Sequence, residues 1–548
     1  MTRALIAAAI ALALIVTLGW LGVKLRAAAW DRTITTNEGP GLRFNGDIDN
    51  GYRWGNFAHE VGYLNVYEIF GPEDRRAGFR LDYGPFRLGV MSAWVNWLHD
   101  TGRLKPPETS RLRRPSFQAT SERQPDRAFH APLLRFNTVM EALTAVAAGA
   151  LAWEACRRAA ASPERSFALA MAAAAIAWFN PASIFEAHVW PQWDIWPMPF
   201  FLAALFCGLR RWWLAAGLLI GFASPLKGQI LLVGWVLPAW ALCLGDWRGA
   251  LRIIVGTCAA ILLTGVPWIV SAYEPATQSR HVNTPAIALI VLCTLAAALL
   301  PRRFSPAWAF AVCAATLFVS MKYLGGSDIW LQCSFGVGTY NHPRMMLGPM
   351  SNLPAILALK YGWADIEYPL FTLPALTLFD RDGAEWFRLG GTITMRTLLL
   401  VIFAAFALAC GIRAAMLDRR RDPRVVLALS LPWLFMALVP AQMHERYYIF
   451  VAVCSAAWVV CGVGPTLLGV LLMLIALVQM LHTVLRSNRI MPVGLKNLAT
   501  APQGFLGFLR VAIEPLQPGI AWMVMLAALV LFASLFARGP RGEVPHVD

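Results

Sequence analysis

The chain has 548 residues, 58% of them hydrophobic and only 14% charged, whereas a soluble protein of this length carries about a quarter charged residues. The formal charge is +15 and the isoelectric point near 9.7. The basic residues sit in short loops between apolar runs rather than along an aromatic-lined groove, so helix orientation by positive charge accounts for them and nucleic-acid binding is set aside.

Many apolar runs reach or approach the ~20 residues that span a bilayer, which predicts an all-α polytopic membrane protein of about fourteen transmembrane helices (12–14) in a single integral-membrane domain. Of the ten cysteines, nine fall in or beside apolar runs and Cys333 lies in a predicted outer loop. They read as small buried hydrophobes, without disulfide or metal spacing.

Residues 4–23 form the first apolar run, after Arg3. The run is long and lacks a clear small-residue cleavage site, so it reads as an uncleaved span with a cytoplasmic N-terminus. Residues 24–132 are too polar to cross and form a first extracytoplasmic loop. Within it, Ile48 to Gly62 predicts a helix, residues 86–98 an apolar, Trp-rich interfacial helix, and Arg103 to Arg127 an Arg-, Pro- and Ser-rich loop. Spans at 133–155, 166–185 and 195–209 follow. The run 212–245 is broken at Ser224-Pro225-Leu226-Lys227-Gly228, a sequence that interrupts a helix. Spans at 253–272, 285–300 and 307–323 lead to a second large extracytoplasmic loop, 324–390, which holds Asn341-His342-Pro343-Arg344. The basic loop Arg413 to Arg424 is the strongest inner-side signal. A span at 425–440 then ends at Gln442-Met443-His444-Glu445-Arg446-Tyr447-Tyr448, and three more complete the chain.

Charge bias alone places the loops of Arg157, Arg210, Arg248, Arg302, Arg419 and Arg538 inside. The unusual polar stretches then all fall outside. Ionisable groups at membrane depth are costly and usually functional. Each stretch has a structural and a chemical reading. Asp47, after Gly46 at the start of a helix, is either an N-cap or a general base able to take a hydroxyl proton. Asp49 points to another face and is the weaker candidate. Asp82, in Arg80-Leu81-Asp82-Tyr83-Gly84-Pro85-Phe86, is a turn residue or a second pocket carboxylate. In His188-Val189-Trp190-Pro191-Gln192-Trp193-Asp194 the tryptophans fit an interfacial belt, Asp194 opens a span, and His188 is structural or a pocket residue. Lys227, in the helix break, needs an anion or a route to water. Arg446 offers a planar fork suited to phosphate oxygens, beside His444 and Glu445.

Together these motifs resemble the GT-C superfamily of membrane glycosyltransferases, which take sugars from polyprenyl-phosphate carriers. Gly46-Asp47 followed by Tyr52-Arg53-Trp54 resembles the Gly-Asp motif of that family's first outer loop. Leu81-Asp82-Tyr83-Gly84-Pro85 is similar to the Leu-Asp-Tyr-Pro-Pro motif of lipid-linked glucosyltransferases, with Gly84 in place of the first Pro. Gln192-Trp193-Asp194 with Lys227 downstream resembles bacterial mannosyltransferase-like members, with Pro191 in place of a Gly. Met443-His444-Glu445-Arg446-Tyr447 resembles the His-Glu-Lys or His-Glu-Arg motif before a late span. The resemblance spans residues 40–450 by motif order.

The resemblance implies a GT-C fold and an inverting transferase that moves a mannose- or glucose-like hexose from a polyprenyl-phosphate donor to a glycan, lipid or protein hydroxyl at the extracytoplasmic face. Asp47 would be the base and Arg446, with Lys227 or His444, would meet the donor phosphate. Asp49, Asp82, Asp194, His188 and Glu445 would line the pocket. Asp47, Asp49 and Asp82 are hard oxygen groups that suit a divalent cation, yet no metal or other cofactor is expected, because the phosphate has basic partners. Alanine- and Arg-rich composition with short loops points to a bacterial inner membrane. The rival reading is a transporter or lipid flippase, which predicts charges near the bilayer midplane; the absence of an internal repeat weighs against it.

Overall fold

Long apolar runs rich in Ala, Leu and Phe fold as helices because only helices and closed barrels satisfy every backbone polar group in hydrocarbon. The computed structural model describes residues 2–34, 47–69, 81, 83–103, 127–277, 279–299, 306–335, 350–363, 365–379, 385–441, 443–486 and 505–537. The first helices are α1 (Thr2–Ile34), α2 (Asp47–Val61), α3 (Pro85–Asp100), α4 (Arg127–Arg158) and α5 (Pro163–Trp178). A single turn, Pro181–Ile184, runs into a five-residue π-turn, Phe185–Val189. Helices α6 (Met198–Leu209), α7 (Trp213–Ala223), α8 (Gln229–Gly234), α9 (Val236–Cys243) and α10 (Trp247–Thr264) come next.

Strands β1 (Ser271–Glu274) and β2 (Ser279–Val282) pair antiparallel and are followed by α11 (Thr284–Leu299) and α12 (Pro306–Tyr323). A second antiparallel pair, β3 (Pro369–Phe379) and β4 (Glu385–Thr394), leads into α13 (Met395–Arg419). The chain continues through α14 (Val425–Ser430), α15 (Pro432–Leu438), α16 (Tyr448–Cys454), α17 (Val463–Arg486) and α18 (Phe505–Ser534).

Among the described residues eight helices are long and apolar enough to cross a membrane, and five shorter apolar segments accompany them. The shorter ones include the broken run at Ser224-Pro225 and the segment Val425–Leu438, where Pro432 interrupts the helix. The expectation of an all-α chain needs correction: residues 271–282 and 369–394 each carry a two-stranded hairpin. In β1–β2 the alternation of Tyr273 and Val282 with polar neighbours suits an exposed ribbon, and Arg280 ties it to Leu64 Oxygen and Glu68.

Helix α1 also runs further than residues 4–23. Lys24 and Arg26 lie within it, and the Ala27-Ala28-Ala29 run that follows favours continuation. Arg26 is tolerated because it is fully paired: Nε donates to Glu141 Oε2 at 2.7 Å, and Nη1 and Nη2 donate to the Gly22 and Trp178 carbonyls. This pair joins α1 to α4.

At one end of the bundle the basic loops form a clasp. Glu154 meets Arg157 at 3.0 Å and Arg210 at 2.6 Å, and Asp418 meets Arg158 at 2.5 Å and Arg211 at 2.7 Å. Arg419 donates to the Cys243 carbonyl and Arg424 to those of Ser534 and Ala537. These are the loops that charge bias assigns to one side. At the other end Asn137 of α4 donates to the Ala187 and Gln192 carbonyls, each at 2.9 Å. Between Asn137 and Arg158 the helix rises about 30 Å, the thickness of a hydrocarbon core.

Replacing one member of a buried pair strands the other charge and costs about 3–5 kcal/mol. Arg26→Met should therefore lower the melting temperature in detergent markedly, and adding Glu141→Leu should restore part of the loss. Arg157→Gln should have little effect, because the Arg157 side chain is 54% exposed and surface pairs contribute little.

Candidate functional site

Asn180 starts the local geometry. Its Oδ1 accepts from the Ala182 and Ser183 amides, while its Nδ2 donates to the Ala452 carbonyl at 3.2 Å. Pro181 fits the first helical position. The π-turn then inserts an extra residue, a distortion common at functional sites. It sends consecutive polar side chains to different neighbours.

Glu186, fully buried, accepts the Asp194 amide on Oε1 at 2.9 Å, and its carbonyl accepts the Gln192 amide at 2.9 Å. Residues 190–194 are thus wrapped around Glu186. His188 goes elsewhere: its Nε2 lies 2.7 Å from Glu141 Oε2, in a network with Arg26 and Ser183. His188 thus meets Glu141, while Glu186, two residues earlier and on another face of the turn, meets the Asp194 amide.

Asp194 sits in the turn before α6 and is 1% exposed. Lys227 Nζ lies 2.5 Å from its Oδ1, and Arg446 Nε lies 2.8 Å from its Oδ2. Three segments far apart in sequence meet here. Lys227 comes from the turn between α7 and α8, which Pro225 opens. Arg446 comes from the single 3₁₀ turn Glu445–Tyr447 ahead of α16. Arg446 also approaches Gln192 Oε1 at 3.5 Å, and the Lys227 ammonium sits 4.6 Å from the Tyr447 ring centre. Burial pushes the Asp194 carboxyl up, but Lys227 and then Arg446 outweigh it and hold the group down at about 2.

An aromatic wall adjoins this cluster. Trp193 meets Tyr83 edge-on at 5.5 Å, and Tyr83 meets Trp54 of α2 at 3.9 Å. The Arg87 guanidinium lies 3.5 Å from the Tyr83 ring centre and 4.9 Å from that of Trp193. Close backbone approach explains Gly84. A Cβ there would stand 2.4 Å from the Pro225 carbonyl oxygen, so the Tyr83-Gly84 turn rests directly on the Lys227 break. Gly51 does the same for α2, where a Cβ would meet Met91 Sδ at 2.8 Å and Trp193 at 3.2 Å.

The structure therefore brings together Asp194, Lys227 and Arg446. Glu445 is buried in the same 3₁₀ turn, and His444, with a half-exposed side chain, has Nδ1 3.9 Å from Glu445 Oε2. Asp47 and Asp49 begin α2, but their side chains lie outside the described residues, as does Asp82. The turn after Asp47 reaches Trp193 through Gly51. Sequence reasoning missed Glu186, Arg87 and Glu141. The available signal was the rarity of acidic residues inside apolar runs, which Glu141 and Glu186 both display.

Gly84→Ala should displace the Tyr83 turn from Pro225 and lower turnover more than stability, as read by rate and melting temperature on the same preparation. Asp194→Asn should destabilise the protein and impair turnover, because Lys227 and Arg446 lose their shared counter-charge. With its carboxyl lowered relative to the unfolded ~3.9, the Asp194 contribution is complete above about pH 4 and is lost as pH falls through about 2. The gap in melting temperature between wild type and Asp194→Asn should therefore stay constant from pH 8 to 5.

Residues 127–282 match the model of glycosyltransferase family 87, GT87. This stretch carries Glu186, Asp194 and Lys227, while Arg446 lies beyond it. No curated protein matches the chain. The match and the apolar helices lead to one conclusion: the protein is an enzyme of the glycosyltransferase class, built as a polytopic helical membrane protein.

Proposed function

We propose that the enzyme is an inverting transferase of GT-C type that moves a mannose- or glucose-like hexose from a polyprenyl-phosphate donor to a hydroxyl of a glycan, lipid or protein. The reaction takes place at the extracytoplasmic face of a bacterial inner membrane, where residues 24–132 and 324–390 form the two large outer loops of a single domain. The observation that supports this reading most is the pair Lys227 and Arg446, held side by side by Asp194. Two cations from distant segments meet on one buried carboxylate. A phosphate arriving there meets donors already oriented, which is the arrangement that stabilises a leaving oxyanion without reorganisation.

In this reading the acceptor hydroxyl comes from the aqueous side and attacks the anomeric carbon. Asp47 takes its proton. The bond from the anomeric carbon to the phosphate oxygen breaks, the electron pair leaves on the phosphate, and the configuration inverts. Phosphate is a weak base and needs no general acid. Arg446, with Lys227 and His444, stabilises it, while Glu445 and Asp194 hold the cations. Asp49 and Asp82 line the same pocket. The step parallels base-assisted attack in inverting glycosidases, with a sugar or other hydroxyl in place of water.

Asp47→Asn keeps the size and removes the base, so turnover of a polyprenyl-phosphate hexose by purified protein should fall by about 10²–10⁴-fold. Near wild-type turnover would sink the assignment. Arg446→Gln should raise the donor KM more than the acceptor KM; an effect confined to the acceptor would contradict its role.

A further inference from the structure

Arg87, in the first turn of α3, is a buried guanidinium that lacks an oxygen partner among the described residues. It is 8% exposed, and its Nε is buried without a hydrogen bond. The other three buried Lys and Arg side chains among the described residues each have such a partner. Arg26 donates to Glu141, Lys227 to Asp194 and Arg413 to the Leu535 carbonyl. Arg87 has instead the faces of Tyr83 and Trp193, at 3.5 and 4.9 Å from the ring centres. Cation–π contact offsets only part of the cost of burying a charge. The helix adds to that cost. The first turn of α3 holds no acidic residue and its N-terminus has no side-chain cap, so the positive end of the helix dipole reinforces the guanidinium.

The position of Arg87 says what the missing partner is. Trp193, one of its two aromatic neighbours, directly precedes Asp194, on which Lys227 and Arg446 close. Arg87 does not share in that pairing, since Lys227 takes Oδ1 and Arg446 takes Oδ2. Its charge is still felt there: burial raises the Asp194 carboxyl, and Lys227, Arg446 and, more weakly, Arg87 lower it. The mounting is rigid as well. Tyr83 is followed by Gly84, which rests on the Pro225 carbonyl two residues before Lys227. A guanidinium laid against a ring face keeps its N–H donors in its own plane, directed past the edge of the ring. That planar fork matches two oxygens of a phosphate.

We propose that Arg87 is a further residue of the donor seat, binding the phosphate of the lipid-linked donor beside Lys227 and Arg446 and selecting a phosphate carrier over an uncharged one. The inference rests on the reading of Lys227 and Arg446 as the phosphate site. In the free enzyme the aromatic faces of Tyr83 and Trp193 hold the guanidinium in place, and the arriving phosphate supplies the oxygen it lacks.

The test titrates the full chain, purified in detergent, with farnesyl phosphate, farnesol and inorganic phosphate in a calorimeter. Wild type should prefer farnesyl phosphate to farnesol. Arg87→Gln should weaken farnesyl phosphate about tenfold, which corresponds to about 1.4 kcal/mol, and leave farnesol unchanged. Equal weakening of both ligands would make Arg87 a prop for Trp193 and overturn the proposal. Wild-type binding by Arg87→Gln would also overturn it, and a loss in Arg446→Gln alongside would leave the donor reading standing. No preference for farnesyl phosphate in wild type would bring down the donor reading and this proposal together. Displacement of farnesyl phosphate by inorganic phosphate at the same concentration would mark a soluble-anion site and refute the donor seat. Where Arg87→Gln does not fold, Arg87→Lys decides. It keeps the charge and loses the fork, so farnesyl phosphate should bind about threefold more weakly with farnesol unchanged; wild-type binding of both ligands refutes the role.

Discussion

A carboxylate withdrawn from water inside a helical bundle must be neutralised where it stands, and Asp194 is neutralised twice. Lys227 and Arg446 come from the helix break at Pro225 and the 3₁₀ turn before α16, and both close on one buried group. Such an arrangement is weak evidence for stability, since desolvation offsets much of the attraction. Its value is positional. The shared carboxylate keeps two cations adjacent that would otherwise repel each other, and it fixes three distant segments at one end of the bundle.

The rest of that end is built around this requirement. Glu186 accepts the Asp194 amide, so the carboxylate's backbone is held as firmly as its side chain. Glu186 and His188, two residues apart in the π-turn, point to different faces of the same short segment. Trp193 extends the cluster sideways through Tyr83 to α2 and α3, and the missing side chain at Gly84 lets that wall rest on Pro225. At the far end of α4 the carboxylates Glu154 and Asp418 perform a comparable task with arginines, holding together loops that would repel one another. Two charge-paired ends separated by the thickness of a bilayer give the bundle its polarity.

The match to family 87 covers 127–282, which contains Asp194 and Lys227 but not Arg446. The cation pair is therefore assembled from inside and outside the matched stretch. The contacts argue that the later part of the chain belongs to the same site: Arg446 reaches Asp194 and Gln192, Asn180 reaches the Ala452 carbonyl, and Gln229 approaches the Tyr447 hydroxyl at 3.4 Å.

Composition and hydropathy by themselves were enough to establish a polytopic helical membrane protein, because long apolar runs have no other stable form in a bilayer. The cost of burying charge drew attention to Asp194 and Lys227 in the sequence, as the planar fork did to Arg446, and the Ser-Pro break was readable as the place where Lys227 leaves its helix. What sequence could not decide was partnership. Glu186 and His188 stand two residues apart and so point to different faces, but that one would meet the Asp194 amide and the other Glu141 is decided by the tertiary packing. The first span read as ending at residue 23, but Glu141, 115 positions from Arg26, supplies the counter-charge that lets α1 continue. Gly84 read as a departure from a motif, and its reason appeared only when the Pro225 carbonyl was found against it. Local physics determines which residues are expensive to bury; the three-dimensional path of the chain decides which of them meet.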